Sequence, residues 1–167
     1  MGNTELQDDF DRVSQYLISA SSESASLHFD EVRKYCAGRC AEAVMPILRD
    51  SEAKGAFVLS EDDRFRAFIF SDSGFMLAEA ISIDRTNART SLASYRFSDS
   101  RLNIVIGDIA SFMPARLTEW DEWPYSVEVE IFWQGELLAQ VNLDRSNRAQ
   151  KGAIGVILRS VGSRAGF

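Results

Sequence analysis

Apolar and polar residues alternate most regularly between Tyr125 and Leu143, on either side of Gly135. Tyr125, Val127, Val129 and Ile131 occupy every second position before the glycine, and Leu137, Ala139, Val141 and Leu143 do so after it. A period of two belongs to strands with one buried face, so the stretch predicts a β-hairpin. A three-residue loop at Trp133-Gln134-Gly135 sets Phe132 opposite Glu136, Ile131 opposite Leu137, Val129 opposite Ala139, Val127 opposite Val141 and Tyr125 opposite Leu143. One face is then apolar across both strands, and Gly135 takes the left-handed position that suits a residue without Cβ. A two-residue loop at Gln134-Gly135 sets Val129 against Gln140 and Val127 against Asn142, which mixes the faces. The three-residue register is preferred, and it leaves Phe132 and Leu138 on the outer face among Glu128, Glu130, Glu136 and Gln140.

Toward the N-terminus the period lengthens. Leu6, Phe10, Val13 and Leu17 follow a capping-box pattern at Thr4 and Gln7, predicting a helix over residues 4 to 19, with Asp8, Asp9 and Asp11 near the positive end of its dipole. The serine-rich residues 19 to 26 break it. A second helix begins near Ser26 or Asp30 and carries Val32, Tyr35, Cys36, Cys40, Ala43 and Val44 on one side, until Pro46 kinks or ends it. From Ala56 onward, short runs rich in Phe, Val and Ile alternate with acidic, serine and glycine turns. Strands are predicted at 56–60, 64–71, 75–83, 90–97 and 102–106. Asp108 is placed to cap a short helix carrying Ile109, Phe112, Met113 and Leu117 and interrupted by Pro114. After the hairpin, residues 144 to 147 offer capping groups, and Ala153, Ile154, Ile157, Leu158 and Val161 recur at helical spacing up to Gly162. A terminal helix is predicted, although Gly152, Gly155 and the pair Val156-Ile157 also permit a strand.

These elements define an α+β chain: two N-terminal helices on a curved, mostly antiparallel sheet of about seven strands, a short helix before the last hairpin, and a C-terminal helix. With 167 residues the chain is the size of one domain, with a core that needs no disulfide staple. No apolar run reaches the about 18 residues of a membrane helix, and Met1 to Leu6 resemble no secretory leader. Leu6 also stands where a myristoylation motif has Ser or Thr.

Charge narrows the partner. The net charge is −7. Residues 1 to 63 hold 13 acids and 6 bases, residues 64 to 144 hold 12 and 7, and residues 145 to 167 hold 0 and 5. An acidic body with a basic end repels phosphate backbones, so no nucleic-acid partner is expected.

Candidate chemistry is thin. Cys36 and Cys40 share a helix face, but a tetrahedral metal site needs two more ligands and His28 is the sole histidine, so buried thiols in a reducing cytoplasm are the simpler reading. His28 has no G-x-S-x-G elbow to serve. Glu128 and Glu130 point to one face roughly 7 Å apart, a spacing that keeps an exposed strand charged and resembles a glycosidase pair only in separation. Glu61-Asp62-Asp63 lacks the glycine and glutamate of a calcium loop, and Lys151 to Gly155 lacks the spacing of a phosphate loop. Neither metal nor cofactor is predicted.

Trp120-Asp121-Glu122-Trp123-Pro124-Tyr125 interleaves aromatic and acidic residues, a composition suited to the centre and rim of a protein interface. Together with Glu128, Glu130, Phe132 and Leu138, residues Trp120, Asp121, Glu122 and Trp123 form the predicted partner-binding set. The pattern predicts a non-enzymatic, cytoplasmic protein-binding module that sequesters a basic protein in the manner of an immunity or inhibitor protein. Homodimers are a further option. Size, acidity and the order helix, sheet, helix are similar to small acidic secretion chaperones at the level of fold alone, so a chaperone for an exported protein is the alternative; five central strands depart from that pattern. A third reading is an enzyme or ligand-binding domain, with Arg66, Arg96, Tyr95 or His28 lining a pocket inside the curved sheet.

Overall fold

The computed structural model describes residues 2–21, 31–48, 53–61, 63–84, 87–107 and 126–164. Helix α1 (Gly2–Ser19) and helix α2 (Glu31–Leu48) precede β1 (Gly55–Ser60), β2 (Arg64–Ser71), β3 (Gly74–Ser82), β4 (Ala88–Arg96), β5 (Leu102–Gly107), β6 (Ser126–Trp133), β7 (Glu136–Asp144) and helix α3 (Arg148–Arg164). The chain is α+β, with every named strand antiparallel to its neighbours. Among the described residues there are seven strands, but they form two sheets, β1-β2-β3-β4 and β5-β6-β7, in place of the single sheet predicted.

The reason lies in β2 and β3. Ala67, Phe68, Ile69 and Phe70 are buried in succession, so the four-stranded sheet is apolar on both faces and must be covered twice. On one face, Ala56, Val58, Phe65, Ala67, Ile69, Ala78 and Ala80 pack against Val13 and Leu17 of α1 and Cys36, Cys40 and Val44 of α2. On the other, Phe57, Phe68, Phe70, Phe75 and Leu77 meet the inner residues of the three-stranded sheet, Leu102, Ile104, Val127, Val129, Ile131, Ala139, Val141 and Leu143, together with Ile154 and Ile157 of α3. A seven-stranded sheet would have left one of these faces bare. The chain changes sheet after β4, where Phe97 is buried and Leu102 N–H donates to Asp99 O at 3.1 Å.

Helix α1 begins at Gly2, ahead of the predicted cap Thr4. Helix α2 runs through Pro46 and ends two residues later. The terminal segment is a helix, and it starts as its sequence suggests: Asn147 Oδ1 accepts the Gln150 N–H at 3.2 Å. The same two side chains tie α3 to the end of α1, because Asn147 Nδ2 donates to Ser19 O at 2.7 Å and the buried Gln150 Nε2 donates to Ala20 O at 3.1 Å. Gly152 is explained by packing: a Cβ there would collide with Lys54 O, and a Cβ on Gly55 would collide with Ala153 N, so α3 crosses β1 backbone against backbone.

The hairpin register differs from the predicted one. Gln134 (φ 53°) and Gly135 (φ 83°) form a two-residue turn with Trp133 opposite Glu136 and Phe132 opposite Leu137. The register then shifts between Ile131 and Phe132, so that Leu138 is an extra residue and Ile131 pairs with Ala139, Val129 with Val141 and Val127 with Leu143. This bulge restores the apolar face that a two-residue turn alone would have mixed. The predicted helix after Asp108 lies outside the described residues.

Candidate protein-contact face

The bulge decides which side chains reach the outer face of the three-stranded sheet. Leu137 occupies that face beside Phe132, and Leu138 turns inward and packs against the core. Leu138, predicted as a contact residue, is therefore replaced by Leu137, which is 53% exposed. Across the sheet the outer residues form three rows: Asn103, Phe132 and Leu137; Val105, Glu130 and Gln140; Gly107, Glu128 and Asn142. Val105 is 40% exposed, Asn103, Gln140 and Asn142 are exposed, and Phe132, Glu128 and Glu130 are half-buried by their neighbours. Among the described residues no helix or strand covers this face.

Its electrostatics are one-sided. Strands β5, β6 and β7 contain Glu128, Glu130, Glu136 and Asp144 and no lysine or arginine. Gln140 Nε2 donates to Glu128 Oε1 at 2.8 Å, holding that carboxylate at the surface. Arg101, at the rim, lies over the Trp133 ring at 4.6 Å, and Asp99 accepts from its Nη2 at 2.8 Å, so its charge is locally balanced. The face can offer apolar contact at Val105, Phe132 and Leu137 and acceptor oxygens around it.

Val105 was legible from the alternation of Leu102, Ile104 and Ile106. Leu137 was not, because its facing depends on the bulge. Glu128, Glu130 and Phe132 lie together as predicted, whereas Trp120, Asp121, Glu122 and Trp123 lie outside the described residues.

The remaining candidates have separate places. Cys36 and Cys40 are free and buried; Cys40 Sγ donates to Phe65 O at 3.9 Å. Burial, reinforced by Cys36 and Glu79, pushes the Cys40 thiol from the ordinary 9.0 up to about 12, so it is not a thiolate at neutral pH. Among the described residues no three His, Cys, Asp or Glu side chains converge as a metal site would require. His28 lies outside them. Between the sheets, Tyr95 stacks on Phe75 at 4.9 Å and meets Trp133 edge-on at 5.0 Å. Arg66 donates from Nη1 to Leu138 O at 2.9 Å, and burial lowers its guanidinium pKa, with nearby Arg64 acting in the same direction. Arg96 is exposed and borders a hollow of about 250 Å³ at the end of α2, apart from Arg66. Arg66 and Arg96 thus do not share a site.

The chain matches no protein-family model, no curated protein and no solved structure. Among the described residues no helix is long and apolar enough to cross a membrane.

Proposed function

We propose that this protein is a non-enzymatic, cytoplasmic binding module that sequesters a basic protein, and that the outer face of β5, β6 and β7 is its contact surface. One observation carries the reading: this face joins exposed apolar side chains to acidic ones on strands that contain no basic residue. Apolar anchors inside a charged rim supply affinity, and the surrounding carboxylates steer a cationic partner and reject anionic ones. A rigid sheet presents both without an ordering cost.

The test begins with co-purification from the native host and mass spectrometry, followed by binding measurements on the partner found. Phe132→Ala with Leu137→Ala should weaken binding by about 2 kcal/mol, roughly 30-fold, at unchanged circular dichroism. Glu128→Lys with Glu130→Lys should chiefly slow association and remove its salt dependence. Unchanged affinity in both variants would reject this face. An unfolded exported polypeptide as the partner would establish the chaperone alternative, and turnover of a small molecule without any partner would establish an enzyme.

A further inference from the structure

Among the described residues, the exposed large apolar side chains that are not on β5 or β7 gather around β4. Leu92, 41% exposed, lies on the strand itself, Ile83 lies in the turn before it, and Ile47 shares a hollow with Ser94 and Arg96. Strand β4 is the outer strand of its sheet, nine residues long, and among the described residues it pairs with β3 alone. It contains no proline, its pairing with β3 has no register shift, and its charges, Arg89 and Arg96, lie near its two ends.

Hydrogen bonds at both ends of the β3–β4 pair establish which backbone groups are free. Ile83 N–H donates to Asn87 O at 2.9 Å, and Phe97 N–H donates to Ser73 O at 3.0 Å. In an antiparallel ladder bonded pairs recur at every second residue, so Arg89, Ser91, Ala93 and Tyr95 bond to β3. The N–H and C=O groups of Ala88, Thr90, Leu92 and Ser94 and the N–H of Arg96 point away from the sheet, while Arg96 O accepts the Asp99 N–H at 3.0 Å and has one lone pair left for a further donor. Such a row is a template for another strand.

We propose that two copies of this chain pair antiparallel along β4, about a two-fold axis at Leu92, and form a continuous eight-stranded sheet. This register uses all nine residues and sets outward-bonding residues opposite one another: Leu92 meets its own copy, Thr90 meets Ser94, and Ala88 meets Arg96. A two-fold centred on any other residue leaves part of the strand unpaired. The side chains agree with the backbone. Arg89 faces the Tyr95 ring, Ser91 faces Ala93, and no charged residue faces its like. The two copies of Arg89 stand six residues apart along the strands, roughly 20 Å, beyond the screening length of about 8 Å at physiological salt. On the helix side, the paired Leu92 side chains cover each other, which removes the apolar exposure at the rim of α2. The interface is isologous and closed, so it ends at a dimer.

Cysteine crosslinking of the full chain tests the register, because Cys36 and Cys40 are buried. Leu92→Cys should form a covalent dimer on mild oxidation, since a directly opposed bonded pair has Cα atoms about 5.5 Å apart, within disulfide range. Thr90→Cys alone should not, its own copy lying roughly 13 Å along the strand, but Thr90→Cys mixed with Ser94→Cys should. Sedimentation should show wild-type dimer and a folded Leu92→Pro monomer, as that N–H bonds only across the interface. A wild-type protein that stays monomeric up to about 0.1 mM overturns the proposal. So does a dimer that survives Leu92→Pro without crosslinking at residue 92, or a monomer whose β4 amides are protected only by an extended peptide from another protein.

Discussion

Gly152 shows how a single residue can mislead a local reading and still obey a simple physical rule. In isolation it weakens the case for a helix, yet the helix forms and the glycine is needed where α3 lies directly on β1 at Gly55. Gly152→Ala forces a methyl group into Lys54 O and should cost about 2 kcal/mol in urea denaturation. Gly155→Ala, in the same helix, meets only the flexible end of Arg159 and should stabilise by about 0.5–1 kcal/mol. Destabilisation of both variants by similar amounts would show that helix propensity and close approach have been wrongly separated. Gly55 is remote in sequence, so nothing local distinguishes the two glycines.

The β6–β7 hairpin carries the same lesson to a secondary-structure element. The predicted and observed registers place Ile131 opposite Leu137 and Ala139 respectively, a difference of two residues, and a slip of two preserves every facing in a strand of period two. Alternation therefore identified the buried face and could not separate registers that share it. What separates them is the turn, with positive φ at Gln134 and Gly135, and the bulge at Leu138 that compensates for it. Arg66, from the other sheet, donates to the Leu138 carbonyl. Arg66→Met should leave that acceptor without its donor and cost about 1–2 kcal/mol, with Arg66→Lys losing less. A neutral Arg66→Met, measured by chemical denaturation, would mean that water serves the carbonyl equally well.

Viewed as a whole, the molecule separates its charges between its sheets. The strands of the four-stranded sheet carry four arginines and one glutamate, whereas those of the three-stranded sheet carry four acids and no base. The proposed partner face and the proposed dimer edge lie on these different sheets, so neither test interferes with the other. Stability also has a global signature at high pH. Burial raises the Cys40 thiol to about 12 and raises the Tyr16 and Tyr95 phenols above the ordinary value of 10.0. Each raised group holds its proton longer in the folded state than in the unfolded one, so its contribution is complete below the unfolded pKa and is lost as pH climbs through the folded value. The urea midpoint should hold below pH 9 and fall between there and pH 12, with Cys40 accounting for a loss on the order of 2–3 kcal/mol near pH 11. Cys40→Ala, though less stable at neutral pH, should show a shallower alkaline decline; an identical decline would remove the thiol as its source.

Sequence by itself determined the α+β class, the two leading helices and the positions of the seven strands among the described residues, because each of these rests on a hydrophobic period repeated over a few turns or residues; it favoured a terminal helix but left a strand open there. It also marked Glu128, Glu130 and Phe132 as one outward-facing group, since alternation survives any register that keeps the faces. The division into two sheets was written more faintly, in the unbroken apolar run from Ala67 to Phe70, and could be recognised only once both faces of β2 were seen to need cover. Tertiary structure alone decided the bulge, the exchange of Leu138 for Leu137 on the outer face of the three-stranded sheet, the close crossing at Gly55 and Gly152, and the place of β4 at the end of its sheet. Each of these depends on which distant segment lies opposite a residue, and local periodicity carries no information about that.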